Sequence, residues 1–438
     1  MKKIITALLI LICNIAISQT GWYLQTTQTT KSLQDIFFVN SQTGWACGDS
    51  GIIIKTTNSG INWVNKAAFT NLSLRSIRFS DANYGYVAGG RQTSDPFCID
   101  DDILAKTTDG GETWIVLLSN DTWDVFYDLA IINKDTAFAT FAGTDNSCMA
   151  ASGGTYRTFN SGGNWNYSGG GWMNGISFIN STTGWVTSFS IGDILIGYFS
   201  VFKTTNTGVN WNVVYRDTSF GGSYIGKIRF VDENNGFCLY KMLRKTTNGG
   251  INWQKVDSVS TYGVISFAPI NKDTIWIVHN LTNVKRTNNG GLNWTQQFTA
   301  AGLNSIYFLD ENTGWIAGSY GFVYKTITGG LTGIQNVSFE IPSSYSLEQN
   351  YPNPFNPTTK IRFDVPYTFL SPHGLGGDLI TLSVFDITGR EVQKLVNERL
   401  SPGTYSVDWN ASVFPSGVYF YRLHAGSFTE TKRMLMIK

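Results

Sequence analysis

A nine-residue phrase recurs seven times along the chain and constrains its fold more than any other feature. The copies run from "KTTNSGINW" to "KTITGGLTG" and begin at Lys55, Lys106, Arg157, Lys203, Lys245, Arg286 and Lys325. Six copies end in tryptophan, and successive tryptophans lie 51, 51, 46, 42 and 41 residues apart. A period of this length is typical of the four-stranded blade of a β-propeller.

A second phrase precedes each copy of the first and supplies the remaining strands of the repeat. It reads "IFFVNSQTGWACG" in the first repeat and "IYFLDENTGWIAG" in the seventh. Short apolar runs broken by Gly and Asn are typical of an antiparallel meander rather than of a helical repeat. The sequence therefore predicts an all-β fold with a seven-bladed propeller over residues 19–333.

The turn inside the nine-residue phrase has a structural explanation. Its Asn or Asp side chain accepts hydrogen bonds from backbone N–H groups nearby, and its Gly tolerates a positive φ. These residues recur once per blade, whereas an active site is needed once. We therefore predict a structural role for Asn58, Asp109, Asn160, Asn206, Asn248 and Asn289.

Closure of the ring is also predicted. The seventh copy has Gly333 where the others have tryptophan, while Trp22 lies 14 residues before Ile36, as Trp63 does before Ile77. We predict that residues 20–27 form the outer strand of the last blade, which would remove an exposed sheet edge.

The two ends of the chain predict export. Residues 1–18 have a basic start, an apolar run and a small-residue cleavage site, as in a secretory signal peptide. No other segment is long and apolar enough to cross a membrane as a helix. Charged residues make up 14% of the chain and the net charge is +1, which gives no indication of nucleic-acid binding. We expect no cofactor.

The repeat ends at Gly333. Residues 334–344 are predicted to be a linker, and residues 345–438 a small immunoglobulin-like β-sandwich, because alternating strands follow one another with turn residues between them.

Both parts resemble known families. The turn phrase resembles the Asp-box, or bacterial neuraminidase repeat, and the full period is more similar to propellers of the photosystem II assembly and stability factor family. That resemblance implies a non-enzymatic scaffold. Residues 345–438 resemble the type A sorting domain of the type IX secretion system, whose marks include Pro354, Gly417, Tyr419, Lys432 and Lys438. This implies passage through the periplasm, handling by the type IX machinery, and release or attachment at the outer cell surface.

Departures from the repeat indicate where binding would occur. Long loops in blades two to four are expected to form a rim on one propeller face, because loops on a rigid scaffold often carry function. The candidate binding residues are Arg91, Asp95, Asp100, Asp101, Asp102, Trp123 and Asp145. Ordinary solvated loops are the alternative. Asp100–Asp102 have no known calcium-site spacing, so we predict no metal.

Two further sets of residues are singled out. Cys98 and Cys148 lie in corresponding loops of adjacent blades and are candidates for a disulfide, while Cys47 and Cys238 are expected to be buried thiols. Arg78, Lys227 and Arg229 are candidates to line the central channel. There they would either hold an anion or form solvated walls.

These patterns leave two functional hypotheses. The first is a secreted or surface-attached propeller that binds a protein or glycan and has no catalytic residues. The alternative is a secreted glycoside hydrolase, sialidase-like or other, with a divergent site. One histidine, His279, lies in the propeller, which disfavours Ser-His-Asp and multi-histidine zinc sites.

Overall fold

A computed structural model describes most of the chain. The described residues are 21–91, 101–119, 124–144, 151–169, 171–191, 197–218, 226–240, 242–256, 263–327, 329–330, 334–338, 342–367, 378–400, 402–411 and 414–438. The predicted signal peptide, residues 1–18, lies outside them. One compact unit spans Trp22–Gly330, and a second contains Leu331–Lys438.

The first unit consists of seven four-stranded antiparallel sheets, which we number as blades 1 to 7. After β1 (Tyr23–Gln25) come β2 (Leu33–Phe38), β3 (Gly44–Gly48), β4 (Ile53–Thr56) and β5 (Val64–Asn65) in blade 1. Blade 2 has β6 (Leu74–Phe79), β7 (Gly85–Arg91), β8 (Asp101–Thr107) and β9 (Ile115–Leu118). Blade 3 has β10 (Asp124–Ile131), β11 (Ala137–Thr144), β12 (Ala151–Thr158) and β13 (Asn166–Gly169).

The remaining blades follow the same order. Blade 4 has β14 (Trp172–Phe178), β15 (Gly184–Ile191), β16 (Gly197–Thr204) and β17 (Asn212–Asp217). Blade 5 has β18 (Ile228–Phe230), β19 (Gly236–Tyr240), β20 (Met242–Thr246) and β21 (Gln254–Lys255). Blade 6 has β22 (Val264–Pro269), β23 (Ile275–His279), β24 (Asn283–Thr287) and β25 (Thr295–Thr299), and blade 7 has β26 (Leu303–Phe308), β27 (Gly314–Gly318) and β28 (Val323–Thr326).

Blade 7 takes its fourth strand from the N-terminal side of the chain. β1 pairs with β28, with Tyr23 opposite Lys325 and Gln25 opposite Val323. Trp22, just before β1, is 4% exposed and packs edge-on against Phe308 of the same blade. The two ends of the propeller sequence are thus joined in one sheet.

Aromatic stacking connects neighbouring blades. Trp45 of blade 1 is fully buried, stacks on Phe79 of blade 2 at a centroid distance of 3.6 Å, and donates its indole N–H to the Gly110 carbonyl at 2.9 Å. Equivalent stacks join Trp185 to Phe230, Trp276 to Phe308 and Trp315 to Phe38. Each such pair contributes roughly 0.5–1.5 kcal/mol beyond the burial of its area.

The turn residues predicted to be structural form local hydrogen bonds. Asp109 accepts from the Thr113 N–H at 2.9 Å, and Thr107 Oγ1 accepts from the Gly111 N–H at 2.8 Å. Hydrogen bonds, first those from Thr113, lower the pKa of Asp109 to about 2. Where Asn replaces Asp the same bond persists, as between the Asn62 N–H and Asn58 at 2.9 Å. The other Asn copies repeat it: Asn160, Asn206, Asn248 and Asn289.

The second unit is a two-sheet sandwich. Its strands are β29 (Ile334–Ser338), β30 (Ser346–Leu347), β31 (Thr358–Val365), β32 (Asp378–Phe385), β33 (Glu391–Leu400), β34 (Gly403–Asn410), β35 (Gly417–Ala425) and β36 (Phe428–Met436). One sheet has the order β29-β34-β31-β30 and the other β33-β32-β35-β36. The predicted all-β fold, a seven-bladed propeller followed by a small sandwich, is confirmed.

The linker prediction needs a correction. Residues 334–344 were assigned to a linker, but Ile334–Ser338 form an edge strand in which Ile334 lies opposite Val407. The strand is short and lies between Gly333 and Pro342, so its sequence resembles a connection. It becomes a strand because β34 offers an unpaired edge.

The sorting marks are found at several places in the sandwich. Tyr419 is 4% exposed and donates its hydroxyl to the Pro415 carbonyl at 2.8 Å, while Lys432 pairs with Glu430 at 3.2 Å. The Lys438 N–H donates to Ser416, just before Gly417, and Pro354 follows Asn353, which accepts from the Leu435 N–H. Among the described residues of the whole chain, no helix is long and apolar enough to span a membrane.

Candidate functional site

The loop-rim residues are placed only in part. Asp101 and Asp102 belong to β8 and pair with Arg91 and Gly90 across the hairpin, and Asp102 is 4% exposed. These two residues therefore lengthen the third strand of blade 2. The side chain of Arg91 and the remaining rim candidates, Asp95, Asp100, Trp123 and Asp145, lie outside the described residues, as do Cys98 and Cys148. Cys47 and Cys238 are buried free thiols, and burial raises the pKa of both.

The innermost strands of the blades build a polar channel mouth. In six of the seven blades, the innermost strand has one extra residue where it pairs with the second strand, which makes a β-bulge. The bulged residues are Gln34, Arg75, Tyr127, Asn174, Ile265 and Asn304, and we call them the mouth ring. Together with Gly226, Lys227 and Leu281 they line a cavity of about 280 Å³.

The mouth ring opens on one identifiable face of the propeller. Each bulge lies beside the end of a second strand, where the loop to the third strand begins; Leu33, for example, pairs with Gly48. Gln34 donates to Asp49 in that loop at 3.1 Å. The mouth therefore lies on the same face as the described loops between second and third strands, such as the one that contains Asp49.

Below the mouth ring, arginines and carboxylates form a buried network. Arg78 bonds Asp35 and also lies 3.5 Å from Asp128, while Arg229 bonds Asp128 at 2.8 Å. Burial would raise the pKa of Asp128, but Arg229 and Arg78 outweigh it and lower that pKa. Burial would likewise lower the pKa of Arg78, and Asp35 with Asp128 raises it instead.

Two cations of the channel have no such partner. Lys227 makes no ion pair or hydrogen bond through its side chain among the described residues, and burial first, then Arg229 and Arg78, lowers its pKa. Arg75 lies over the Tyr127 ring at 5.2 Å, and its Nε is buried without a hydrogen bond. Four cations (Arg75, Arg78, Lys227, Arg229) against two carboxylates (Asp35, Asp128) leave an excess of two positive charges in the described channel.

The structure thus brings the three predicted channel residues together, but with different roles. Arg78 and Arg229 are held by carboxylates that the sequence analysis did not single out, whereas Lys227 faces the cavity. In most repeats the innermost strand has an Ile or Leu at the same position. Asp35, Asp128 and Lys227 directly precede that residue, and Arg75 lies two residues before it. A comparison of these two positions across the seven repeats would have identified the charged residues of the channel.

The fold and site define a class: a seven-bladed propeller with a polar channel mouth, followed by a C-terminal sandwich. Residues 15–327 match the family described as photosynthesis system II assembly factor YCF48, and residues 349–438 match the secretion system C-terminal sorting domain. Since the first match covers most of the chain, the protein belongs to the YCF48-type propeller family. Its sorting domain assigns it to secretion and cell-surface attachment through the type IX system.

One curated relative shares a short segment with the chain. It is the chloroplastic photosystem II stability/assembly factor HCF136 of Oryza sativa subsp. japonica, 40% identical over 57 residues. The match spans 13% of this chain and 14% of the relative's length.

Solved structures are similar in fold. A YCF48 bound to D1 peptide is 18% identical, with a TM-score of 0.52, covering 70% of this chain and 97% of that one. YCF48 from Cyanidioschyzon merolae is 21% identical, with a TM-score of 0.51 and coverages of 70% and 98%. A GH74 enzyme from Niastella koreensis is 11% identical, with a TM-score of 0.50 and coverages of 95% and 75%. At these identities the likeness describes the fold alone.

Proposed function

We propose that this protein is a surface-attached binding propeller whose channel mouth captures a partner polypeptide by a carboxylate. The observation that carries the proposal is the formal excess of two positive charges in the channel, where Lys227 and Arg75 form an ion pair with none of the described carboxylates. A carboxylate between them would gain charge-assisted hydrogen bonds, which are stronger than neutral ones.

The size and polarity of the mouth support a chain end or an acidic side chain as the ligand. A cavity of about 280 Å³ is just below the usual range of small-ligand pockets, so it admits one chemical group rather than a folded domain. Gln34 and Asn304 also line the mouth beside the two cations. Their amide N–H groups donate to Asp49 and to the Leu33 carbonyl, so their amide oxygens are the atoms that would accept from a peptide N–H. A cleft that is lined by charges of one sign and has low-dielectric walls attracts a partner of opposite charge.

The comparisons support a polypeptide as the partner class. A YCF48 propeller of the same fold is described as bound to a D1 peptide. The identity of this chain's own partner would follow from its own mouth residues.

Peptide binding by the full exported chain tests the proposal. We expect acidic peptides to bind and their fully amidated, carboxylate-free counterparts not to bind. Arg75→Gln combined with Lys227→Met should weaken binding about 10- to 100-fold, the cost of losing charge-assisted hydrogen bonds. Arg216→Gln is the matched control, because Arg216 also lies over a tyrosine ring, Tyr198, but on an outer strand. Equal affinity of the double variant and the unmodified chain would refute the proposal.

A glycoside hydrolase remains the competing hypothesis and can be tested directly. Such enzymes use a pair of carboxyl groups, one with a raised pKa that acts as the acid. In the described channel the two carboxylates, Asp35 and Asp128, are both bonded to arginines, and the pKa of Asp128 is lowered. Turnover of a polysaccharide at enzyme-like rates by the exported chain would favour the hydrolase.

A further inference from the structure

The seams between blades follow a rule at the tryptophan that ends each turn phrase. At five seams an apolar side chain from the end of the preceding blade packs over that tryptophan. Phe69 stacks on Trp114 at 5.8 Å, and Phe298 lies 6.2 Å from Trp22. The remaining pairs share a hydrophobic cluster: Leu117 with Trp165, Val214 with Trp253, and Val256 with Trp294.

Two of the seven seams depart from this rule. At the seam between blades 7 and 1, the third residue after Trp22 is the polar Gln25, and the cluster around Trp63 contains no residue of β1. At the seam between blades 3 and 4, the corresponding residue is smaller still. The third residue after the blade-3 tryptophan, Trp165, is Ser168, whereas the same position in blade 2 is Leu117. The hydrophobic cluster around Trp211 contains no residue of β13. A groove of about 400 Å³ opens there, lined by Ser168 of blade 3 and by Trp211 of blade 4. We call it the seam groove.

The lining of the seam groove combines apolar and neutral polar side chains. Its large apolar members are Met173, which is 2% exposed, and Phe202 and Trp211, which are half-buried. The polar lining consists of Ser168, Thr205, Asn206, Asn210 and Asn212, with Val209 beside them. No lining residue is charged, and Asn210 and Asn212 are exposed at the edge.

We propose that the seam groove binds a neutral sugar unit of a glycan. A pyranose ring has an apolar C–H face that suits an indole and hydroxyls that suit amides, since each Asn side chain offers both a donor and an acceptor. The Oδ1 of Asn206 is occupied by the Asn210 N–H at 3.0 Å, so its amide N–H group is the end that can serve a ligand. The volume lies within the range of small-ligand pockets.

The lining chemistry disfavours other ligand classes. A phosphate, carboxylate or sulfate would be desolvated in a groove without a cation to pair with it. A purely apolar ligand would cover the amides of Asn206, Asn210 and Asn212 and leave them unsatisfied. The seam groove and the channel mouth share no lining residue, so this inference stands independently of the peptide proposal.

Filling the groove gives the sharpest test. Ser168→Leu copies the residue that closes the neighbouring seam, so it should keep the fold while removing the cavity. The full exported chain and its variants would be titrated calorimetrically with neutral gluco-, manno-, galacto- and xylo-oligosaccharides and with uronic acid oligomers. We expect at least one neutral series to bind, and Ser168→Leu and Asn210→Ala to weaken it at least about tenfold.

Controls separate this site from general effects. Asn252→Ala changes the residue equivalent to Asn210 in blade 5, whose seam is closed by Val214, and should leave sugar affinity unchanged. Thermal melting of Ser168→Leu verifies that the variant is folded. The proposal is overturned if no neutral oligosaccharide binds at millimolar concentration, if only the acidic series binds, or if folded Ser168→Leu retains full affinity.

Discussion

At the residue scale, Asp128 is the side chain on which the channel depends most. It is 5% exposed and accepts hydrogen bonds from Arg229, from the Leu129 N–H at 3.1 Å and from the Ile176 N–H at 3.3 Å. Ser76 of blade 2 also donates to it at 3.3 Å. One carboxylate thus connects the innermost strands of blades 2, 3, 4 and 5.

Replacing this carboxylate should destabilise the propeller strongly. Asp128→Asn keeps the shape but leaves two buried guanidinium groups with less negative charge, so we expect the free energy of unfolding to fall by about 3–5 kcal/mol. Urea denaturation at neutral pH measures it. Lys272→Ala, which removes an exposed pair with Asp273, serves as the control and should change nothing measurable. A loss below about 1 kcal/mol for Asp128→Asn would mean that the network is dispensable.

The same residue predicts a pH dependence. Because its arginine partners lower the pKa of Asp128 in the folded protein, its contribution is complete above the ordinary carboxyl pKa and is lost as pH falls through the folded value. The stability difference between the unmodified chain and Asp128→Asn should therefore shrink below about pH 4. Urea midpoints at pH 7 and pH 3 test this. If the stability difference between the two proteins is the same at pH 7 and pH 3, groups other than Asp128 cause the loss of stability in acid.

At the element scale, the short strand β1 holds the ring closed. Only three residues pair with β28, but Trp22 just before them is buried among residues of blades 6 and 7, including Phe298 and Phe308. The strand itself is partly exposed. Most of the energy of closure therefore comes from the tryptophan rather than from the strand.

Truncating that tryptophan should weaken closure measurably. Trp22→Ala is expected to cost about 3–5 kcal/mol, as large-to-small changes in a packed core do. Leu24→Ala, in the same strand but 53% exposed, is the matched control and should cost little. Thermal melting of both variants distinguishes them, and similar melting temperatures would show that Trp22 does not carry the closure.

What the sequence predicts depends on whether a feature repeats. The blades, their turns and the returned strand follow from residues such as Asp109 and Trp22, because each copy obeys the same local chemistry. The bonds of Asp35 and Asp128 were not predicted, because they form only when the innermost strands of separate blades bring residues 35, 78, 128 and 229 close together. The importance of Ser168 was not predicted for a related reason. A small residue indicates a groove only when the structure shows that it lies beside a tryptophan, here Trp211, whose counterparts in other blades are covered by larger residues.

At the scale of the whole molecule, propeller and sandwich have separate cores. The sandwich cluster contains only residues from Leu347 to Met436, and the propeller clusters only residues from Trp22 to Ile316 or Val323. Each unit therefore buries its apolar side chains within its own core, as independently folding domains do. The sorting domain and the propeller can then be changed separately.

Removing the last two strands should abolish export without harming the propeller. Deleting residues 419–438 eliminates β36 and most of β35, with the buried side chains of Tyr421, Leu423 and Met434. The sandwich then loses much of its core, and the sorting machinery loses its folded substrate. We expect the truncated chain to accumulate in the periplasm and the propeller to keep its melting temperature. Cell fractionation with immunoblotting, together with calorimetry of both proteins, tests the two halves of the prediction. A truncated chain found at the cell surface would show that sorting does not require this domain, and a lowered propeller transition would show that the units depend on each other.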